Sequence, residues 1–247
     1  PQPGLLEGRE RRDRHMLILR GVIGGLFQVA VFGSLLVVPA GLVPGGTWYW
    51  PRALLFLGVY GCVLVISIVA LAIKAPANLE ARLKPPVSRK QPAADRVVTT
   101  VLMLWFLGWF VSIPTDVFFW KLLPAPGFAV SALGAVLSVA GFGIIMAAIY
   151  ENSFAVPIVE DQTEVGQVLV DTGPYARVRH PLYLGLLPFV AGISLWLESY
   201  TSLIVSFGFL VVIVWRLVVE ERMLRQTLPG YSEYVEKVPY RLVPFVW

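Results

Sequence analysis

The sequence predicts an all-α integral membrane protein. It should have about six transmembrane helices, the last two forming a helical hairpin, followed by a cytoplasmic amphipathic C-terminal segment. Two observations predict this class. The 247 residues are 57% hydrophobic and only 15% charged, with a mean hydropathy of +0.72, whereas soluble domains carry about 25% charged residues. The apolar residues also lie in continuous runs near the length of roughly 20 residues that a helix needs to cross a bilayer. Lipid admits only helices or closed barrels as spanning structures, and continuous rather than alternating runs exclude the barrel.

The first run extends from about Leu17 to Val43 and stops at the turn Pro44-Gly45-Gly46. Trp48, Tyr49 and Trp50 then suit an interfacial aromatic belt. The second run, about Ala53 to Ile73, ends at Lys74-Ala75-Pro76 and leads into a polar loop, Ala77 to Asp95. That loop sets Arg82, Lys84, Arg89 and Lys90 against Glu80. The third run is about Val97 to Trp120, and the fourth is about Phe128 to Tyr150. A long polar connection, Glu151 to Arg179, precedes a short run from Leu182 to Leu197. Glu198-Ser199 interrupts it before the last run, Tyr200 to Val219. The first arm of that pair is short for a full span.

Residues 1–15 are polar and basic, either a cytoplasmic tail or a segment appended ahead of a start at Met16. The division that follows is 1–15 as tail, 16–150 as a four-helix membrane region, and 151–247 as a distinct C-terminal region. The loops near Trp48 and Lys121 hold few charges, while the 77–95 loop and the stretch after Val219 are basic. The positive-inside rule then puts both termini, that loop and the 151–179 connection in the cytoplasm. The 77–95 loop reads as a topology determinant. The net charge of +4 is better explained by topology and anionic lipid than by nucleic acid. The lone Cys62, inside an apolar run, reads as a buried thiol. Two histidines are too few for a histidine-built metal site, and no metal is expected.

Chemistry concentrates in the C-terminal region. Gly173-Pro174 is a turn, and Pro181 suits the first position of a helix with His180 at its N-cap. Free backbone N–H groups there favour an anion, and Arg177 and Arg179 add positive charge. On residues alone, such a basic pair reads first as a topology anchor. Arg216 and Glu220 are four apart, hence on one helical face, at the same membrane depth as His180. Arg216 precedes an apolar triplet and so lies inside the membrane boundary, where charges are paired or functional. Glu151-Asn152-Ser153 forms a third polar cluster, and Glu160, Asp161 and Glu164 read as solvated loop. Leu224, Leu228, Tyr231, Val235 and Val238 recur at roughly helical spacing, which reads as an amphipathic segment lying on the membrane. Pro239, Pro244, Phe245 and Trp247 close it.

The stretches GPYARVRHPLY, WRLVVEERML and PGYSEYVEKVPYRLVP, in this order, resemble the isoprenylcysteine carboxyl methyltransferase family and its phospholipid methyltransferase relatives. The resemblance covers roughly residues 150–247. It implies a membrane-embedded methyltransferase using S-adenosyl-L-methionine, with no metal and with a cofactor pocket in the C-terminal half. It implies cofactor contacts at Gln167, Val168, Leu169 and Val170, at Tyr175, at His180, Pro181, Leu182 and Tyr183, and at Glu220. Family members often carry His where this chain has Gln167. Arg216 matches an arginine assigned to the substrate carboxylate, so Arg216 and Glu220 are the expected catalytic pair.

The residue types suit these roles. In-line methyl transfer depends on positioning, and Arg gives a planar fork for a carboxylate. Glu220 suits an ammonium and a sulfonium, and the tyrosines can pack on the latter. The expected acceptor is lipophilic and enters laterally from the bilayer among the membrane lipids. It is a prenylated cysteine carboxylate or a smaller isoprenoid acid, with a phospholipid amine as the alternative within enzymes. A non-enzymatic transport or assembly protein explains the apolar runs equally well, but not the ordered polar set. No Gly-x-Gly-x-x-Gly follows a strand pattern, so a soluble Rossmann-type enzyme is not a candidate.

Overall fold

The computed structural model describes residues 3–83, 93–154 and 168–247. Among these the fold is all-helical, with no strand. The elements are α1 (Pro3–Leu42), α2 (Pro51–Lys74), α3 (Pro76–Arg82), α4 (Ala93–Thr115) with a π turn (Asp116–Trp120), and α5 (Phe128–Glu151). A 3₁₀ turn (Gly173–Ala176), α6 (Pro181–Trp196), α7 (Tyr200–Thr227) and α8 (Tyr231–Lys237) follow. Gln167, Glu160, Asp161, Glu164, Lys84, Arg89 and Lys90 lie outside the described residues.

Among the described residues, five helices are long and apolar enough to cross a membrane, namely Arg12–Leu42, Pro51–Lys74, Arg96–Trp120, Phe128–Glu151 and Tyr200–Thr227. α6, expected as a sixth crossing, has 16 residues and falls short of that length. Residues 3–15 run as the first turns of α1.

The core is aromatic. Phe32, Phe56, Tyr60, Trp109, Phe110, Phe142, Phe189, Trp196 and Phe209 are buried together, joining α1, α2, α4, α5, α6 and α7. Trp109 donates from Nε1 to the Ser194 hydroxyl at 3.0 Å, so its indole polar group is satisfied inside the core. Trp50 departs from the belt expected of it. It is buried against Phe118, with ring centroids 5.1 Å apart, while Trp48 and Tyr49 stay exposed. Cys62 is exposed rather than buried. The reason is the one-sided burial of α2, whose inward face carries Ala53, Phe56, Tyr60, Ile68 and Leu71.

α5 and α6 pack backbone to backbone, because both carry small residues at intervals of seven. A Cβ on Gly134 would meet the Trp196 nitrogen at 2.5 Å, and one on Gly185 would meet the Gly141 carbonyl oxygen at 2.7 Å. Gly192 sits equally close to Ser138. Van der Waals packing at small residues is the main attraction available between helices in lipid. Asn78 of α3 stitches to the same unit by donating to the carbonyls of Ile149 (2.6 Å) and Tyr150 (2.9 Å).

At the far end of α6, Leu197, Glu198 and Ser199 lead directly into α7. Ser199 accepts from the Ser202 backbone N–H at 2.9 Å, an N-cap for α7. Ser199 also donates to Asp116 at 2.7 Å, tying this link to α4. Pro114 has no N–H for the carbonyl one turn earlier, and the helix widens into the π turn directly after it.

Replacing Gly141 with Leu should force α5 from α6, because the contact is backbone and cannot yield. The expected loss is roughly 1–3 kcal/mol, read as a lower thermal unfolding midpoint in detergent. An unchanged midpoint would show that the close approach is not needed.

Candidate active site

The 173–183 block is fixed by backbone geometry before any side chain acts. Gly173 has φ +56°, and a Cβ there would meet the Glu151 side chain at 2.9 Å. Thr172 donates to that same carboxylate, so the foot of α5 holds the turn. His180 stands at the N-cap of α6 with Pro181 opening the helix, as the sequence predicts. The backbone N–H of Arg179 donates to the Tyr240 carbonyl (2.9 Å) and that of His180 to the Arg241 carbonyl (3.0 Å). The C-terminal tail thus lies directly against the start of α6.

Glu221 of α7 organises the surrounding charges. Its Oε1 accepts from Arg179 Nε at 2.8 Å and lies 3.2 Å from His180 Nε2. Its Oε2 accepts from Arg241 Nε at 3.0 Å. Arg179 Nη1 donates to the Val238 carbonyl at 2.7 Å, and the Arg241 guanidinium lies over the Trp247 ring at 4.9 Å. A buried carboxylate is tolerable because each oxygen meets a cation or a ring N–H.

Glu220, one residue earlier, points elsewhere. It accepts from the Tyr183 hydroxyl at 3.0 Å, and its Oε1 lies 3.9 Å from His180 Nδ1. The imidazole is therefore flanked by both carboxylates of the pair.

Glu220 faces a cavity of about 330 Å³, within the range of roughly 300–1,000 Å³ usual for ligand sites. Its polar end is lined by Asn152, Tyr175, His180, Glu220, Tyr231 and Tyr234. Its other end is apolar, lined by Leu102, Met103, Phe106, Leu186 and Phe209. Arg216 sits between the two. It is 3% exposed, and its Nη1 donates to Thr99 Oγ1 at 3.0 Å.

Three phenols mark the polar end. Burial pushes Tyr175 well above the usual tyrosine range, with the Glu220 charge adding to it. Burial does the same to Tyr231, helped by Glu221 and Glu220, and to Tyr234. All three are therefore neutral hydroxyls at physiological pH. Tyr234 donates to the Tyr175 carbonyl at 2.8 Å. The Tyr231 hydroxyl is buried and finds no hydrogen-bond partner among the described residues.

Nine of the sequence-predicted positions meet at this cavity. They are Val168, Leu169, Val170, Tyr175, His180, Leu182, Tyr183, Arg216 and Glu220. Pro181 starts α6 but does not line the cavity. Thr99 and Phe106 of α4, which nothing in the sequence singles out, join from the N-terminal half. The sequence predicts Asn152 only as part of a polar cluster, and Tyr231 as part of an amphipathic segment lying on the membrane. Instead Leu228, Tyr231, Tyr234 and Val238 form a buried cluster with Leu169 against them. The apolar face of that segment finds protein rather than lipid, because the 168–170 stretch covers it. Arg179, Glu221 and Arg241 were readable only as parts of motifs, since nothing in their spacing announces a shared centre.

Glu221→Gln leaves the Arg179 guanidinium buried without an anion. Breaking such a pair costs roughly 3–5 kcal/mol. The expected result is a lower unfolding midpoint and faster proteolysis within residues 238–247. A variant as resistant as wild type would show that the tail is held by other contacts.

No curated protein matches the chain. Residues 129–229 match the family model described as phospholipid methyltransferase. The matched segment contains α5, α6 and α7 and most of the polar cavity wall. Over this segment the chain is similar to phospholipid methyltransferases.

Proposed function

We propose that this protein transfers a methyl group from S-adenosyl-L-methionine to the carboxylate of a lipophilic acceptor, such as a prenylated cysteine or an isoprenoid acid. The observation that carries the reading is the position of Arg216. It is a buried cation in the cavity wall, between a polar end and an apolar end. A lipophilic acid has that same polarity, an anion joined to an apolar chain. An amine gains nothing from a neighbouring guanidinium.

The polar end suits the cofactor. The Glu220 carboxylate would face its ammonium or sulfonium, and the neutral Tyr175, Tyr231 and Tyr234 hydroxyls would meet its polar oxygens. The Tyr231 hydroxyl, without a partner among the described residues, is the observation most in need of such a ligand. Val168, Leu169, Val170 and Leu182 would shape the adenosine side. When bound, the cofactor supplies an electrophilic methyl on a sulfonium.

The remaining work falls to this chain's residues. Arg216 would grip the acceptor carboxylate and hold one oxygen in line for attack. A carboxylate is already anionic at neutral pH, so no residue must take a proton. The raised tyrosines therefore act as donors and not as bases. Thr99 and Tyr183 hold Arg216 and Glu220 in place. We read the polar end as cytoplasmic, because exposed Arg222 and Arg225 continue α7 beyond it.

The matched family's description favours a second reading, N-methylation of a phospholipid amine. In that case Glu220 rather than Arg216 would face the acceptor.

Calorimetric binding of S-adenosylhomocysteine tests the first reading. Wild type should bind it, and His180→Ala and Glu220→Ala should lose it. Arg216→Ala should keep cofactor binding while carboxyl methylation falls by about 10²-fold, the value of one charged hydrogen-bonded contact. Methylation of a phospholipid amine that survives Arg216→Ala would replace this reading with the second. No binding by folded wild type would remove both.

A further inference from the structure

We infer that the aromatic pair Phe106 and Phe209 closes the cavity and limits the acceptor's apolar chain to about 10 Å beyond Arg216. The inference takes from the proposed function only that the acceptor's anionic end lies at Arg216.

Two helices form the walls. On α7, Phe209 and Arg216 are seven residues apart, hence on one face and separated by roughly 10.5 Å along the axis. On α4, Thr99 and Phe106 have the same spacing. At one end the two helices meet through the 3.0 Å hydrogen bond from Arg216 to Thr99. At the other they meet through the edge-to-face rings of Phe106 and Phe209, with centroids 6.0 Å apart. The slot between has one polar end and one aromatic end, and Leu186 of α6 closes a side.

The aromatic end is blind. Trp109 stands behind it at 5.4 Å from Phe106 and 5.7 Å from Phe209, and it is fully buried. Its indole is held by Ser194 and cannot swing away without losing that bond. Met103 lines the cavity and is also 43% exposed, so the slot opens toward lipid along α4. Its flexible thioether is suited to the passage of an apolar chain.

The length sets a substrate class. Three bonds of extended chain span about 3.8 Å at most, so the slot takes roughly eight or nine bonds. The acceptor class is therefore a carboxylic acid with a medium-length alkyl or short isoprenoid chain. A farnesyl-length chain would have to leave the slot past Met103.

The test uses straight-chain acids from six to sixteen carbons with full-length protein in lipid nanodiscs. Binding is read as displacement of a fluorescent fatty acid, and methyl ester formation is read separately by mass spectrometry. Wild-type affinity should rise about fourfold per methylene up to about nine or ten carbons and then level off. Phe209→Ala should move that break outward by two or more carbons, and the milder Phe106→Leu should move it by a smaller step. Retained binding of S-adenosylhomocysteine checks folding of each variant. A wild-type profile with no break overturns the inference, as does a break that stays in place in folded variants. A break that moves as expected without any methyl ester supports the inference and counts against the carboxyl-transfer reading. Methyl esters formed with no dependence on chain length do the reverse.

Discussion

Glu221 is the constraint on which the polar end of this protein's cavity depends. An isolated carboxylate among buried side chains would be driven toward its neutral form. Here three nitrogen donors from two distant segments converge on it, Arg179 and His180 ahead of α6 and Arg241 in the tail. Removing the carboxylate would set two guanidinium groups and an imidazole against one another. The chain can therefore close only with α6, α7 and the tail in register. Glu220 follows the helical turn away from this centre and opens onto the cavity. Two adjacent glutamates thus separate a structural charge from a cavity-facing one, and His180 lies against both.

Precision at that centre rests on the packing beneath it. The glycines of α5 and α6 bring two backbones together without intervening side chains, so little rotamer freedom is left in the seam. The aromatic core fills the remaining volume. Its bulky rings also leave a sharp boundary where packing stops and the cavity begins, at Phe106 and Phe209.

Much of the site was legible from the chain alone. The four-residue spacing of Arg216 and Glu220, and the His-Pro start of α6, are local facts that helix geometry turns into positions. The turn at Glu198-Ser199 was legible for the same reason. What escaped depends on contacts between distant segments. Nothing near Tyr231 reveals that Leu169 will cover it, and nothing near Thr99 reveals Arg216 across the bundle. Hydropathy also hides orientation. Cys62 and Trp50 sit in or beside runs that are apolar on every face, so the sequence cannot tell which side meets lipid. The glycine repeat of α5 and α6 was visible in the letters. Its meaning needed the knowledge that these two helices are neighbours.

α6 carries one more consequence. Its 16 residues extend roughly 24 Å, against a hydrocarbon layer of about 30 Å. A helix of that length spans such a layer only where the bilayer thins or flanking polar groups sink beneath its surface. Tilting gives no relief, because it shortens the reach along the bilayer normal further, and the glycine seam ties α6 to the longer α5. For an α6 placed across the bilayer, lipid composition and thickness would be physical inputs to the geometry at its His180 end.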